Sequence, residues 1–82
     1  MDIKVGDKFL VEVFGWIMCK NIDSGKYRIE IFNYNTNDND SYKIAKFYKP
    51  KGKKLIISHF VNDLMISNNV ERLNRTQIIE KI

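Results

Sequence analysis

KYRIEIFNY, Lys26–Tyr34, sets Tyr27, Ile29 and Ile31 at every second position with Arg28 and Glu30 between them. A period of two in β-branched and aromatic residues predicts a half-buried strand, with Tyr27, Ile29 and Ile31 toward a core and Arg28 and Glu30 toward water. Asp23-Ser24-Gly25 precedes it, a three-residue hairpin loop with glycine placed for a positive φ. The partner strand is then expected upstream, and residues 8–21 alternate as required. Phe9, Val11, Val13, Ile17 and Cys19 share one face. Lys8, Glu12 and Lys20 lie on the other, with Leu10, Phe14, Trp16 and Met18. Fourteen residues are long for one strand, and Gly15 stands where glycine marks a bulge or bend. The reading is one strand, bent at Gly15, that belongs to both halves of a curled sheet, opened by a turn at Val5-Gly6-Asp7.

Downstream, Asn35–Ser41 (NTNDNDS) is a polar loop of turn formers. It lacks the glycine and the twelfth-position glutamate of a calcium loop. Tyr42–Lys49 reads as a strand or as a short helix capped by Ser41. Strand is preferred, because Lys49-Pro50-Lys51-Gly52 has the proline and glycine positions of a tight turn and Lys53–Val61 beyond it is strongly β-like. Ser58–Ile66 allows a single helical turn with Phe60, Leu64 and Met65 inward. Ser67-Asn68-Asn69 is a further turn and Val70–Leu73 a last short strand. Asn74 with Gln77 resembles a capping box, which predicts a short C-terminal helix burying Ile78, Ile79 and Ile82.

The fold expected is mainly β, with minor helix, in one domain over residues 1–82. It is a small, strongly bent antiparallel sheet or a five-stranded barrel, with a helical turn and a short terminal helix. KVGDKFLVEV at Lys4–Val13 resembles the turn and first strand of Src-homology-3-like or KOW-type barrels. SHFV at Ser58–Val61 is similar to the serine–aromatic–valine turn before their last strand. Together these cover under a fifth of the chain. The acidic, tryptophan-rich peptide groove of the signalling members is missing, so the resemblance does not carry proline-rich peptide binding. It implies kinship with small basic barrels of phage and mobile elements.

The length of 82 residues, with 44% hydrophobic and 12% aromatic content, suffices for a core but not for a deep catalytic cleft. Cys19 is the only cysteine, so no internal disulfide is possible, and it reads as a small buried hydrophobe in a reducing compartment. MDIKVGDK has no apolar run behind a basic start, and the uncharged run Val13–Cys19 is far too short to span a bilayer. A cytoplasmic protein without membrane contact is expected. His59 is the only histidine, and with Asp63 it offers two ligands where zinc needs four. Nothing in the spacing of Cys19 and His59 supports a nucleophile–base pair. The four glycines form no phosphate loop. The expectation is a protein without enzymatic activity, cofactor or metal.

The charge is more informative. Tyr42–Lys54 (YKIAKFYKPKGKK) carries Lys43, Lys46, Lys49, Lys51, Lys53 and Lys54, six of the fourteen basic residues, and no acid. The other residues hold eight basic and ten acidic groups, so the net charge of +4 is local to this stretch. Lysine at turns keeps sheet edges from aggregating. Lysines crowded at a turn, with Tyr42, Tyr48 and Tyr34 near, also suit phosphates and bases. On a strand Lys43 and Lys49 point one way and Lys46 the other, so not all six reach one partner. The expected nucleic-acid contacts are Lys46, Lys49, Lys51, Lys53, Lys54 and Tyr48. A second surface, Phe14, Trp16 and Met18 beside Leu10, reads as core or as a protein-binding patch. Two functions follow. One is a module that binds nucleic acid or a nucleoprotein through the lysine hairpin. The other is an inhibitor of the anti-defence or host-takeover kind (anti-CRISPR-like, for example) that docks on a host protein. Pairing of strand edges between copies is a third role.

Overall fold

The computed structural model describes residues 3–14, 22–35, 41–61, 66–67 and 76–82. Six strands form one sheet: β1 (Lys8–Val13), β2 (Gly25–Asn35), β3 (Ser41–Tyr48), β4 (Leu55–Phe60), β5 (Ile66–Ser67) and β6 (Thr76–Lys81). Their order is β4-β3-β2-β1-β6-β5. All ladders are antiparallel except the two-residue β5–β6 contact. The chain is thus mainly β, as expected. Among the described residues no ladder joins β4 to β5, so the sheet is bent and unclosed. Its smallest dimension, 25 Å, exceeds the ~10 Å of a single flat layer.

The core is the inner face of the central strands. Phe9, Val11 and Val13 of β1, Tyr27, Ile29 and Ile31 of β2, and Ala45 and Phe47 of β3 are buried, joined by Ile22. Ile57 of β4 and Ile78 of β6 pack on this cluster. Cross-strand pairing stacks like with like: Phe9 faces Ile29, Ile29 faces Phe47, and Phe47 faces Ile57. The alternation of β2, with Tyr27, Ile29 and Ile31 inward, is as the sequence predicts. So is strand rather than helix at Tyr42–Tyr48. Lys49-Pro50-Lys51-Gly52 closes as a turn, with the Gly52 amide donating to the Lys49 carbonyl at 3.0 Å.

The first hairpin differs from expectation. Val13 pairs with Gly25, so the connection runs over residues 14–24 and Asp23-Ser24-Gly25 is not its whole loop. The alternation of residues 8–21 would bring apolar residues inward in the expected tight register as well as in this wider one. The observed one is favoured because β1 also pairs with β6 along its other edge, which buries Phe9, Val11 and Val13 in mid-sheet. Gly25 does adopt a positive φ, +144°, and the Tyr27 hydroxyl donates to the Asp23 carbonyl at 2.6 Å beside it. The proposed continuation of this strand through Gly15, Ile17 and Cys19 lies outside the described residues.

The C-terminal helix is a second correction, since Thr76–Lys81 is strand β6. Without it the outer edge of β1 would leave a row of backbone donors and acceptors unpaired beneath the core, which is costlier than any local helix signal. Thr76 and Ile78 point inward at a spacing of two. Ile79 and Ile82 are exposed, so the apparent 3.6-residue stripe does not exist. Ser58–Phe60 extends β4 instead of opening a helical turn, and among the described residues helical geometry is confined to Val61. Leu64, Met65, the turn at Asn68-Asn69 and the expected strand Val70–Leu73 lie outside the described residues.

Two polar details carry consequences. At the opening turn Gly6 has φ +94°, and its amide donates to the Ile31 carbonyl at 2.9 Å, stitching the turn to β2. The Asp7 carboxylate accepts the Lys4 amide at 2.9 Å and meets the Lys81 ammonium at 3.2 Å. That backbone bond first, against an opposing desolvation and with the Lys81 contact and charge as lesser contributions, lowers the Asp7 pKa below its ordinary 3.8. A lowered folded pKa means stability that is present above 3.8 and is lost as pH falls through the folded value. Asp7→Ala is therefore expected to melt below the wild type at pH 6, with the gap closing below pH ~4. Melting curves at both pH values decide it, and a gap that does not change with pH would refute the assignment.

Thr76 is fully buried and its hydroxyl has no hydrogen-bond partner among the described residues. Replacing an unpaired hydroxyl by a methyl of the same shape removes a desolvation penalty of about 1–3 kcal/mol. Thr76→Val is expected to leave stability unchanged or raise it by about 1 kcal/mol. Urea unfolding would show the opposite, a clear loss, if the hydroxyl were satisfied.

Candidate nucleic-acid interface

The outward side of the sheet is ordered by the same pairing that builds the core. Across β1, β2, β3 and β4 the first outer row is Leu10, Arg28, Tyr48 and Leu55. The next is Lys8, Glu30, Lys46 and Ser58. After it come Phe32, Ile44 and Phe60, and last Tyr34 opposite Tyr42. The face therefore runs from charged to aromatic along β2 and β3.

Charge is spent unevenly. Glu30 meets Arg28 at 3.2 Å and Lys8 at 3.5 Å. The Arg28 guanidinium also lies 4.6 Å over the Tyr48 ring and donates to the Gly52 carbonyl at 2.6 Å, so it ties the Pro50–Gly52 turn to the sheet. Among the described residues the ion pairs use only Lys8, Arg28 and Lys81 as cations. None of the six lysines of residues 42–54 is in one. No acid occurs anywhere in residues 41–61, so β3, β4 and their turn carry only positive charge of their own, with Glu30 of β2 the cross-strand neighbour of Lys46.

The structure splits the sequence-predicted site. Lys51, Lys53 and Lys54 are exposed at the turn and just beyond it. Lys49, Gly52, Lys53, Lys54, Leu55 and Ile56 line one open hollow of about 460 Å³. Lys49 leans back, with its ammonium 5.0 Å from the Tyr27 ring on the other face. Lys46 stands on the outer face alone, 4.3 Å over the Phe32 ring. Lys43 and Lys46 fall on opposite faces, as alternation requires. Tyr48 is half-buried with one ring face covered by Arg28, and so belongs to the scaffold of the turn more than to a free surface.

Two aromatics were missed by the sequence reading. Phe60, expected inward on a helical turn, is 41% exposed on the outer face, because Ser58–Phe60 continue β4 opposite Lys46, Ala45 and Ile44. Phe32 is 38% exposed. Its direction was readable, since Phe32 and Tyr34 keep the outward parity of Arg28 and Glu30. With Tyr34 (47%) and Tyr42 (40%) they make an exposed aromatic patch. The Phe60 ring is flanked edge-on by Tyr34 at 5.9 Å and by Tyr42 at 5.7 Å. Tyr34, Ile44, Ser58, His59 and Phe60 line a second open hollow of about 370 Å³. Of the alternative protein-binding surface, Phe14 is exposed, and Trp16 and Met18 lie outside the described residues, as does Cys19.

Among the described residues no group of three or more His, Cys, Asp or Glu comes together, and no helix is long and apolar enough to cross a membrane. The chain matches no protein-family model, no curated protein and no solved structure.

The role of Arg28 is testable by itself. A lysine there would keep the charge but lose the planar fork that stacks on Tyr48 while donating to Gly52 and Glu30. Arg28→Lys is expected to destabilise by about 1–3 kcal/mol, close to Arg28→Ala, because a charged hydrogen bond and a stacking contact are both lost. A lysine variant with wild-type urea stability would show that charge alone suffices.

Proposed function

We propose that the chain is a non-enzymatic binding module that holds nucleic acid, free or within a nucleoprotein, through the lysine-rich β3–β4 hairpin. One observation carries this reading: six lysines in residues 42–54 face no acid on their own two strands and enter no ion pair among the described residues. Like charges so placed repel one another, and a polyanion relieves that repulsion while releasing its condensed counterions. The hollow beside Lys49, Lys53 and Lys54 gives a phosphate a concave approach. The order β4-β3-β2-β1-β6, in which the last long strand returns beside the first, supports kinship with Src-homology-3-like or KOW-type barrels.

Exposed Phe14 at the end of β1 supports a second reading, an inhibitor that docks on a host protein. A pull-down from nuclease-treated lysate separates the two, because a partner kept after nuclease favours docking.

If four lysines meet phosphates, the slope of log affinity against log salt is about −3 to −4. The double variant Lys53→Gln/Lys54→Gln is expected to reduce that slope by about 2 and weaken binding uniformly across sequences. Fluorescence anisotropy with labelled DNA and RNA at several salt concentrations checks both. An absence of binding at low salt would sink the proposal.

A further inference from the structure

The outer-face aromatic patch narrows the kind of nucleic acid, provided that the lysine-hairpin reading above holds. An antiparallel sheet with one wet face ordinarily presents polar side chains there. Here Phe32, Tyr34, Tyr42 and Phe60 are each more than a third exposed and contiguous through cross-strand neighbours. The patch is held in shape, because Phe60 sits edge-on between Tyr34 and Tyr42. A T-shaped pair sets the edge of one ring against the face of the other, which fixes where the rings lie and covers only one face in each pair. A contiguous exposed apolar patch on a small domain marks a site of interaction.

What covers it follows from the charge around it. β3 supplies Tyr42, Ile44 and Lys46 to this one face, and the Lys46 ammonium already lies over Phe32. The β3–β4 half carries no carboxylate at all. A ligand matched to this surface has flat apolar faces and regularly spaced negative charge. We propose that the patch is a base-stacking platform and that the ligand is a single-stranded polynucleotide, lying along β3 from Tyr42 toward the turn lysines. In a duplex the base faces are already stacked and hidden, so the rings would gain nothing. In a single strand each base offers a π-face, and the phosphates between bases reach Lys46 and then Lys53 and Lys54. From Tyr42 to Tyr48 the strand spans ~20 Å, room for a site at the short end of those known for single strands, about four nucleotides.

The test compares four labelled probes of equal length: a dT12 strand, an rU12 strand, an abasic 12-mer with the same phosphates, and a 12-base-pair duplex. Wild-type protein is expected to bind dT12 or rU12 about tenfold or more tighter than the abasic strand and the duplex. The stronger of dT12 and rU12 tells DNA from RNA. Phe60→Ala and Tyr42→Ala are expected to lose about tenfold on the base-bearing strand and nothing on the abasic one. Tyr42→Phe, which keeps the ring, is expected to retain wild-type affinity and guards against a folding artefact. Equal affinity for dT12 and the abasic strand, or preference for the duplex, overturns the platform while leaving lysine-driven binding intact. Binding to none of the four probes overturns both. A homodimer in sedimentation that Phe60→Ala dissolves also overturns the platform, by showing that a second copy covers the patch.

Discussion

The register between β2 and β3 is the constraint on which the rest of this molecule depends. Eight consecutive pairs run from Arg28 opposite Tyr48 to Asn35 opposite Ser41. Because strand side chains alternate, one register fixes both faces together, and a slip of one residue would exchange them. The pairing that sets Ile29 against Phe47 in the core therefore also sets Phe32 against Ile44, and Tyr34 against Tyr42, on the outside. Polar contacts brace the ladder at both ends. At one end Arg28 reaches across to the Gly52 carbonyl. At the other the Ser41 hydroxyl donates to Asn33 at 2.5 Å and the Asn33 amide to Asn35 at 3.1 Å. The core and the candidate interface are two consequences of one geometric choice.

Charge divides along the same sheet. The described acids that make ion pairs, Asp7 and Glu30, sit near β1, β2 and β6, where they meet Lys81, Lys8 and Arg28. Exposed pairs of this kind add little stability each, but they neutralise that half. Among the described residues the lysines of the β3–β4 half enter no ion pair, although Glu30 is the cross-strand neighbour of Lys46. Concentrated repulsion at a turn tends to open it, and the hydrogen bond from Arg28 to Gly52, in a half-buried setting backed by Tyr48, opposes that opening. The acid that compensates Arg28 is Glu30, on the neighbouring outer row, so the brace adds little to the charge at the tip.

The sequence displayed the central part of this fold and hid its edges. β2 and β3 were legible because period-two alternation and the Lys49–Gly52 turn are local signals that the tertiary structure does not override. β6 was misread because Ile78, Ile79 and Ile82 satisfy a helical spacing as readily as a strand with a bulge. The bulge between Leu10 and Val11 on the facing ladder breaks the simple alternation that would have shown it. What decided the outcome was non-local, namely the unpaired edge of β1. The first hairpin failed for a related reason. Residues 8–21 alternate throughout, so pattern alone allows several registers, and the pairing of β1 with two neighbours chooses among them. In the candidate site the lysines were visible as composition, but their division between faces required the strand assignment. Phe60 was hidden as a surface residue because aromatics are ordinarily assigned to the core, whereas the outward parity of Phe32 could be read from β2 itself.

The parity of β3 sets what the surface can do. Its even positions, Tyr42, Ile44, Lys46 and Tyr48, all face outward, and its odd positions, Ala45 and Phe47, fill the core. Lys43 and Lys49 carry the inward parity and stand at the two ends, where the core has run out. A ligand along the outer face thus meets one strand ammonium, Lys46, before the turn lysines. One strand ammonium would hold few phosphates, and a purely electrostatic site of that size would be weak at physiological salt. Aromatic rings on the same face add a contribution that salt does not screen. Ring and ammonium thus share one face of β3, with Tyr42 and Lys46 four residues apart on the same outward parity.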